Sequence, residues 1–410
     1  MGTLTSSPAA ATTMPDFHLN RVPTFTLLEH DAMDAMEKRL LLASARIPVG
    51  VLIPALYTDL ASPAMANIIK ELAQMEFVQQ VYISLDRANS DEFRQAQQIV
   101  APLGEKNRLL WNDAPGVESV LREIDDLLPL GPRGKGRAVW TALGYAIAKQ
   151  DVAVLAFHDA DILTYDRRFL VRLLYTVVQL RYQFAKGFYA RYGDRLYGRV
   201  VRLFYYPFVR SLKEVLGNLD FLDYMGDFRY PLSGEFATFI SNAQEMQFPS
   251  DWGIEVGILS EIYRLFRVPR VCQVELTPRY DHKHQQVGSD SHVGLQKMVA
   301  DIARTFFTQL SSQGIVLTSE FARTLKFTYL IHARRAVDVY EAFAEMHDLL
   351  EHDLHQEFSA VEAFARALDK AFDEFKRYPF GSPLIPDWQR VEVGIPGIMQ
   401  KLVDALDKPC

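Results

Sequence analysis

The chain alternates between short β-branched apolar runs and stretches whose apolar positions recur every three or four residues. Residues 46–56 (RIPVGVLIPAL) are the first such run and end on Pro54, Ala55 and Leu56. Their nearly unbroken apolar character is that of a parallel strand covered on both faces. Residues 67–77 (NIIKELAQMEF) place Ile68, Leu72 and Met75 on one helical face, and residues 78–85 (VQQVYISL) read as a second strand ending at Asp86. The unit then repeats: a helix over 91–100, a short strand at 108–111, a glycine-rich turn, a helix over 137–149 and a strand over 152–157. This alternation predicts an α/β fold, a mostly parallel sheet flanked by helices. Ligands of such sheets bind beyond the carboxyl ends of the strands, so chemistry is expected in the residues just after each one.

After residue 290 the strand signals fade, and 293–310 and 320–375 read as helical. Leu350, Leu354, Phe358, Val361, Phe364, Leu368 and Phe372 follow the spacing of an amphipathic helix. Its apolar face either packs on the rest of the chain or supports a homodimer. Three regions are expected: a lead-in over 1–45, disordered or helical in part, an α/β domain over 46–290, and a helical C-terminal region over 291–410.

Composition adds limits. Of 410 residues 49% are apolar and 23% charged, which is ordinary for a globular protein that is not membrane-embedded. The formal net charge of −7 argues against a general nucleic-acid binder. That total hides two unlike regions: residues 181–213 carry eight bases against the single acid Asp194, while 341–374 carry ten acids against two bases. An anionic ligand therefore has a local basic stretch to meet. The two cysteines, Cys272 and Cys410, suit a reducing compartment without a structural disulfide. Residues 1–16 lack the basic and apolar segments of a secretory signal, and no run approaches membrane-spanning length, so a cytoplasmic protein without integral membrane contact is expected.

Five short segments could carry chemistry. Residues 152–161 (VAVLAFHDAD) run a buried strand into Asp159 and Asp161, whose i, i+2 spacing puts two hard oxygen donors on one side, as a divalent cation requires. The plainer reading is a pair of turn-capping acids. Residues 131–140 (GPRGKGRAVW) set Lys135 among glycines at a helix start, where free N–H groups and a point charge suit phosphate, although the Walker A spacing is absent. Taken alone this is equally an ordinary basic turn. Residues 230–237 (YPLSGEFA) form a tight turn with Gly234 and Glu235. Residues 281–284 (DHKH) close a β-like run and offer His282 and His284, a pair that alone reads as solvated loop. In residues 251–261 (DWGIEVGILSE), Glu255 is most simply part of a helix start.

In this order, the IPAL strand end, GKG loop, strand-borne DxD, GRV, PLSGE turn, WGIEVG helix and late histidine resemble the glucosyl-3-phosphoglycerate synthases, retaining glycosyltransferases of GT-A fold. The resemblance runs over residues 47–284 and implies a Rossmann-like GT-A core with a helical C-terminal extension. It implies that Pro54, Ala55, Leu56, Asp59 and Asp86 meet the donor nucleotide and that Lys135 approaches its diphosphate. Asp161 and His282 would bind Mg²⁺ or Mn²⁺, with Asp159 on the ribose or sugar side. Gly198, Arg199 and Val200 would hold the acceptor's anionic group, with Gly234 and His284 also on the acceptor side. Glu235 would sit beside the transferring sugar, making Asp161, Glu235 and Lys135 the catalytic set.

Two departures fall on the acceptor side: Val201 stands where the family's GRVT has its Thr, and Lys283-His284 follows the late histidine where the family has Arg-Asn. The acceptor is thus 3-phosphoglycerate or a related small hydroxy acid such as glycerate, and the donor a nucleotide diphosphate hexose, glucose by resemblance. Asp59 is the one acid kept of the family's Asn-Glu-Glu. Two alternatives remain open at this point. A haloacid-dehalogenase-type sugar phosphatase would use Asp159 as nucleophile and Asp161 as acid, but Leu163 stands where that family has Thr or Val. A non-catalytic nucleotide-sugar-binding scaffold would need the site degraded, whereas Lys135, Asp161, Glu235 and His282 are all present.

Overall fold

Eight strands among the described residues form one sheet in the order β1-β8-β6-β7-β5-β2-β3-β4. They are β1 (Thr24–Phe25), β2 (Val49–Leu56), β3 (Val78–Asp86), β4 (Asn107–Trp111), β5 (Val154–Phe157), β6 (Phe184–Tyr189), β7 (Phe236–Phe239) and β8 (Val271–Thr277). The structure is a computed structural model, and it describes residues 21–28, 32–266, 268–281, 294–349, 351–378 and 384–408. The N-terminal lead-in through residue 20, His282 and His284 lie outside these residues.

Every pairing is parallel except those of β7, which runs antiparallel between β5 and β6. β2, β3 and β5 are buried on both faces, which is why each reads as an apolar run. The expected strand at 46–56 begins three residues later, and the one at 152–157 is trimmed to Val154–Phe157. Because β3 lies on one side of β2 and β5 on the other, the sheet has a switch point between β2 and β5. The reversed direction of β7 matters as much. Its first residue, Phe236, pairs with the last residue of β5, Phe157, so the turn before β7 arrives at the same edge as the DxD.

The lead-in is not wholly detached: Thr24 and Phe25 pair with Gln273 and Val274 of β8. The expected helical stretch 320–375 is two helices, Ser319–Met346 and Leu354–Arg377. The break falls at Asp348, which takes a positive φ of 53°, and Asp353 restarts the helix by accepting a hydrogen bond from the Gln356 N–H. The apolar face predicted over 350–372 turns inward, with Val361, Phe364, Leu368 and Phe372 buried, and the Leu354–Arg377 helix packs on Leu295–Ser312 and Ser319–Met346. The face considered for a dimer is thus consumed within the chain.

The remaining C-terminal segment packs on the Pro115–Asp125 and Lys135–Lys149 helices. Trp388 stacks on Trp140 at 4.0 Å between ring centroids, its indole N–H donating to the Trp140 carbonyl while that of Trp140 donates to Pro386. Such a stacked pair adds about 0.5–1.5 kcal/mol beyond the area it buries. The Lys135–Lys149 helix, which starts at the GKG lysine, is thereby fixed from behind. No described helix is long and apolar enough to cross a membrane.

Candidate active site

The carboxyl edge of the sheet gathers most of the singled-out residues around Lys135. Its Nζ lies 2.7 Å from Asp159 Oδ1 and 2.9 Å from Glu255 Oε1. Burial would lower this lysine, but the two carboxylates outweigh that and raise it far above its usual range. Gly134 and Gly136 bring it there. A Cβ on Gly136 would stand 2.1 Å from the Pro249 carbonyl oxygen, and one on Gly134 2.6 Å from that of Ser250. In this loop the glycines serve close approach to the chain entering the Ile254–Leu265 helix, and so place Lys135 beside Glu255 in that helix's first turn. Glu255 was the acid that the sequence presented as mere helix initiation.

The turn Ser233-Gly234-Glu235 closes the site from β7. A Cβ on Gly234 would come within 2.4 Å of Asp159 Oδ2, so only glycine leaves room for that carboxylate. Glu235 is fully buried, and its two oxygens accept from Tyr189 and Tyr280 hydroxyls, each at 2.9 Å. These tyrosines, at the ends of β6 and beyond β8, stack at 3.6 Å. Burial, with Asp159 nearby, pushes the Glu235 carboxyl up to about 7. Beneath the turn, Lys186 is 1% exposed and donates to the Ser233 carbonyl at 2.6 Å. Burial lowers its ammonium to about 8. Lys186, Tyr189 and Tyr280 were missed as site residues: a lysine counted within a basic stretch and tyrosines at strand ends carry no local sign of what they will meet.

Asp161 follows Asp159 on the loop after β5. That loop is stitched to the one after β8: the Leu163 N–H donates to the Asp281 carbonyl at 2.9 Å, and the Asp281 N–H to Thr164 Oγ1 at 3.1 Å. The residue adjoining His282 is therefore held against the DxD loop. Asp159, Asp161, Glu235 and Glu255 set four carboxylates against Lys135 and Lys186, a formal excess of two negative charges if all are ionised. No group of three or more metal-ligating side chains gathers among the described residues, so what this edge offers a divalent cation is its excess negative charge and the hard oxygens of Asp161.

Farther along the edge, Asp86 accepts from Arg133 Nε at 3.0 Å and Nη2 at 2.7 Å, and the same Nη2 reaches Asp113 at 2.6 Å. A cavity of about 300 Å³ opens beside this pair, lined by Asn112, Leu121, Arg137 and Thr141 among others. Pro54, Ala55 and Leu56 end β2 at the switch point, with Leu56 42% exposed, and Asp59 follows on the short Tyr57–Leu60 helix.

On the opposite flank Gly198 adopts a φ of 71°, a conformation costly for any side chain. A Cβ there would stand 2.9 Å from the hydroxyl of Tyr230, which accepts from Arg191 Nη1 at 3.0 Å. Tyr230 also packs on Tyr189, linking this flank to Glu235. Arg191 Nε is buried without a hydrogen-bond partner among the described residues. Arg199 points to the C-terminal region, where Glu357 and Gln356 receive it at 2.7 and 3.0 Å. Val200 and Val201 are buried at the start of a π-helical turn, Val200–Tyr205.

His158, between β5 and Asp159, is 1% exposed, and neither ring nitrogen has a hydrogen-bond partner among the described residues. Burial lowers its imidazole to about 3. A depressed imidazole favours the folded state above the unfolded-state pKa and loses that advantage as pH falls. Between pH 7.5 and 5.5 His158 should cost about 1.4 kcal/mol of stability. Denaturant titrations at the two pH values should show this loss in the parent and not in His158→Phe; equal losses in both would refute it.

The fold and this edge define a GT-A glycosyltransferase. The chain belongs to the glucosyl-3-phosphoglycerate synthase family: it is 40% identical over 399 residues to the glucosyl-3-phosphoglycerate synthase of Persephonella marina, covering 96% of this chain and 99% of that protein. The enzyme of that name from Methanococcoides burtonii is 33% identical over 368 residues, covering 87% and 89%. No family model matches the chain. Among solved structures, the glucosyl-3-phosphoglycerate synthase of Mycobacterium tuberculosis in complex with Mn²⁺, UDP-glucose and phosphoglyceric acid superposes with a TM-score of 0.52 at 21% identity, over 72% of this chain and 89% of that one. Mannosyl-3-phosphoglycerate synthase of Rubrobacter xylanophilus gives 0.52 at 18% identity, over 68% and 80%. These likenesses carry the fold. Family membership sets aside the phosphatase and scaffold alternatives.

Proposed function

We propose that the chain transfers glucose from UDP-glucose to the free hydroxyl of 3-phosphoglycerate, with a divalent cation bound. The observation that carries this is the carboxylate cluster at the switch-point edge, with Lys135 within it, in a chain 40% identical to a named synthase. The C1–O bond to the diphosphate breaks, the C1–O bond to the acceptor oxygen forms, and the acceptor's proton leaves with the diphosphate. Asp161 and His282 would hold Mg²⁺ or Mn²⁺, which when bound neutralises charge on the leaving group.

The protein's own groups do the rest. Leu56 and Asp59 flank the nucleotide, with Pro54 and Ala55 forming the strand end beneath it. Asp86, fixed by Arg133, faces the base or ribose. Lys135 supplies a second positive charge toward the diphosphate once ligand competes for it. Asp159, seated against Gly234, faces the sugar. Glu235, both oxygens occupied by tyrosine hydroxyls, is a positioned polar group beside the transferring sugar and not a nucleophile, in keeping with a retaining reaction by front-face attack. Gly198, Arg199 and Val200 hold the acceptor's anion, with Arg191 as a further cation, and His284 completes that side. A matrix of UDP- and GDP-linked glucose and mannose against 3-phosphoglycerate and glycerate tests the assignment. Highest kcat/KM is expected for UDP-glucose with 3-phosphoglycerate; preference for glycerate would replace the acceptor.

We also propose a homodimer, now on the Ser319–Met346 helix. Phe327, Ile331, Val339, Phe343 and Met346 are exposed along its outer side. Arg334 and Arg335 precede Asp338, Glu341 and Glu345, so two antiparallel copies would match basic to acidic halves. Light scattering should report a dimer for the parent and a monomer for Ile331→Asp/Phe343→Asp; a monomeric parent would refute it.

A further inference from the structure

The acceptor arginine has a partner in the C-terminal region that its sequence neighbourhood does not announce. Glu357, on the Leu354–Arg377 helix, is 1% exposed. A carboxylate buried that deeply is tolerated only when its charge is matched. Arg202 Nη1 meets one oxygen at 2.7 Å and Arg199 Nε the other at 2.7 Å. Arg202 is itself immobilised, with Nε donating to the Tyr197 carbonyl at 2.8 Å, Nη2 to that of Leu196 at 3.2 Å, and the guanidinium 4.9 Å from the ring centroid of Tyr340. Glu357 is thus held rigidly by Arg202 and presents its second oxygen to Arg199.

Gln356 reinforces the grip. Its Oε1 accepts from Arg199 Nη2 at 3.0 Å, while its Nε2 donates to Asp353 Oδ2 at 2.9 Å, which fixes the amide's orientation. Nε and Nη2 are the side edge of the guanidinium. A planar guanidinium has five N–H donors, and engaging that edge leaves the Nη1 and Nη2 end as a second fork that matches two oxygens of a carboxylate or phosphate. Arg199 has no other hydrogen-bond partner among the described residues. The loop before it is tied to the same region, since the Glu351 N–H donates to the Asp194 carbonyl at 3.2 Å.

We propose that Glu357 is a positioning residue for the acceptor: by holding the side edge of Arg199 it aims the end fork at the acceptor's anionic group, so the C-terminal helices complete the acceptor site. This rests on the reading of Arg199 as an acceptor contact. Because the two arginines outnumber the one carboxylate, the triad keeps a positive charge for the acceptor to meet.

The experiment is steady-state kinetics with UDP-glucose and 3-phosphoglycerate on Glu357→Gln, Gln356→Ala and Arg199→Ala, each checked by thermal melting. Arg199→Ala should raise the acceptor KM by about tenfold or more. Glu357→Gln should raise it by about tenfold and Gln356→Ala by about threefold, with the UDP-glucose KM unchanged. In Gln356→Glu/Glu357→Gln a carboxylate again faces Arg199, and the acceptor KM should recover. A merely structural ion pair would lower the melting temperature and leave both KM values alone, and that result overturns the proposal, as does a fall in acceptor KM. If Arg199→Ala itself leaves the acceptor KM unchanged, the reading of Arg199 fails, and the proposal with it. Should Glu357→Gln not fold, the exposed Gln356→Ala decides: an unchanged acceptor KM overturns the proposal.

Discussion

Asp161→Ala is expected to reduce glucosyl transfer by about a thousandfold while leaving the protein folded. The side chain is half-buried on the loop after β5, outside the apolar core, so its removal opens no cavity. The loop is tied to its neighbour by the Leu163 N–H to the Asp281 carbonyl and the Asp281 N–H to Thr164 Oγ1, bonds that the substitution leaves in place. What disappears is one hard oxygen from a cluster whose charge suits a divalent ion. Two measurements separate this from general damage. The melting temperature should stay within about 2 °C of the parent. Mn²⁺ together with UDP-glucose should raise the parent's melting temperature and not the variant's, because only ligand that binds the native state shifts the equilibrium. Turnover within tenfold of the parent would remove Asp161 from the reaction.

Where one strand or one loop carries a signal alone, the chain announces it. β2 and β3 are buried on both faces and so show as unbroken apolar runs, and Asp159 and Asp161 stand out because charges rarely follow such a run without reason. β7 is harder to see: it has four residues and runs antiparallel, and its place between β5 and β6 is set by partners distant in the chain. The same distance hides the rest of the site. Tyr189 and Tyr280 become partners of Glu235 only because β6 and β8 are neighbours, a pairing of strands far apart in sequence. Glu255 reads as a helix start until the approach of Gly136 to Pro249 brings Lys135 to it. Charge counting misleads in one instructive way. The acids over 341–374 look like a solvated face, yet Glu357 among them turns inward to the basic stretch, 158 residues from Arg199.

Lys135→Ala should be costly in two distinguishable ways. Lys135 Nζ lies between Asp159 and Glu255, and Glu255 is nearly buried with its other oxygen already lacking a partner among the described residues. Deleting the cation leaves two carboxylates facing each other, and removing one member of a buried charge group typically costs about 3–5 kcal/mol. Activity should fall by about 10²- to 10³-fold, since the leaving diphosphate loses a preorganised positive charge. Lys135→Ala/Glu255→Gln separates the two effects. Neutralising Glu255 removes the stranded charge, so the double variant should regain most of the lost stability in denaturant titration while its kcat stays low. If activity returned along with stability, Lys135 would be no more than a counter-ion to Glu255, and the diphosphate would draw its stabilisation from elsewhere at this edge. If the double variant stays as unstable as the single, the ammonium stem matters for packing against the 249–251 chain, and the charge argument for this loop fails.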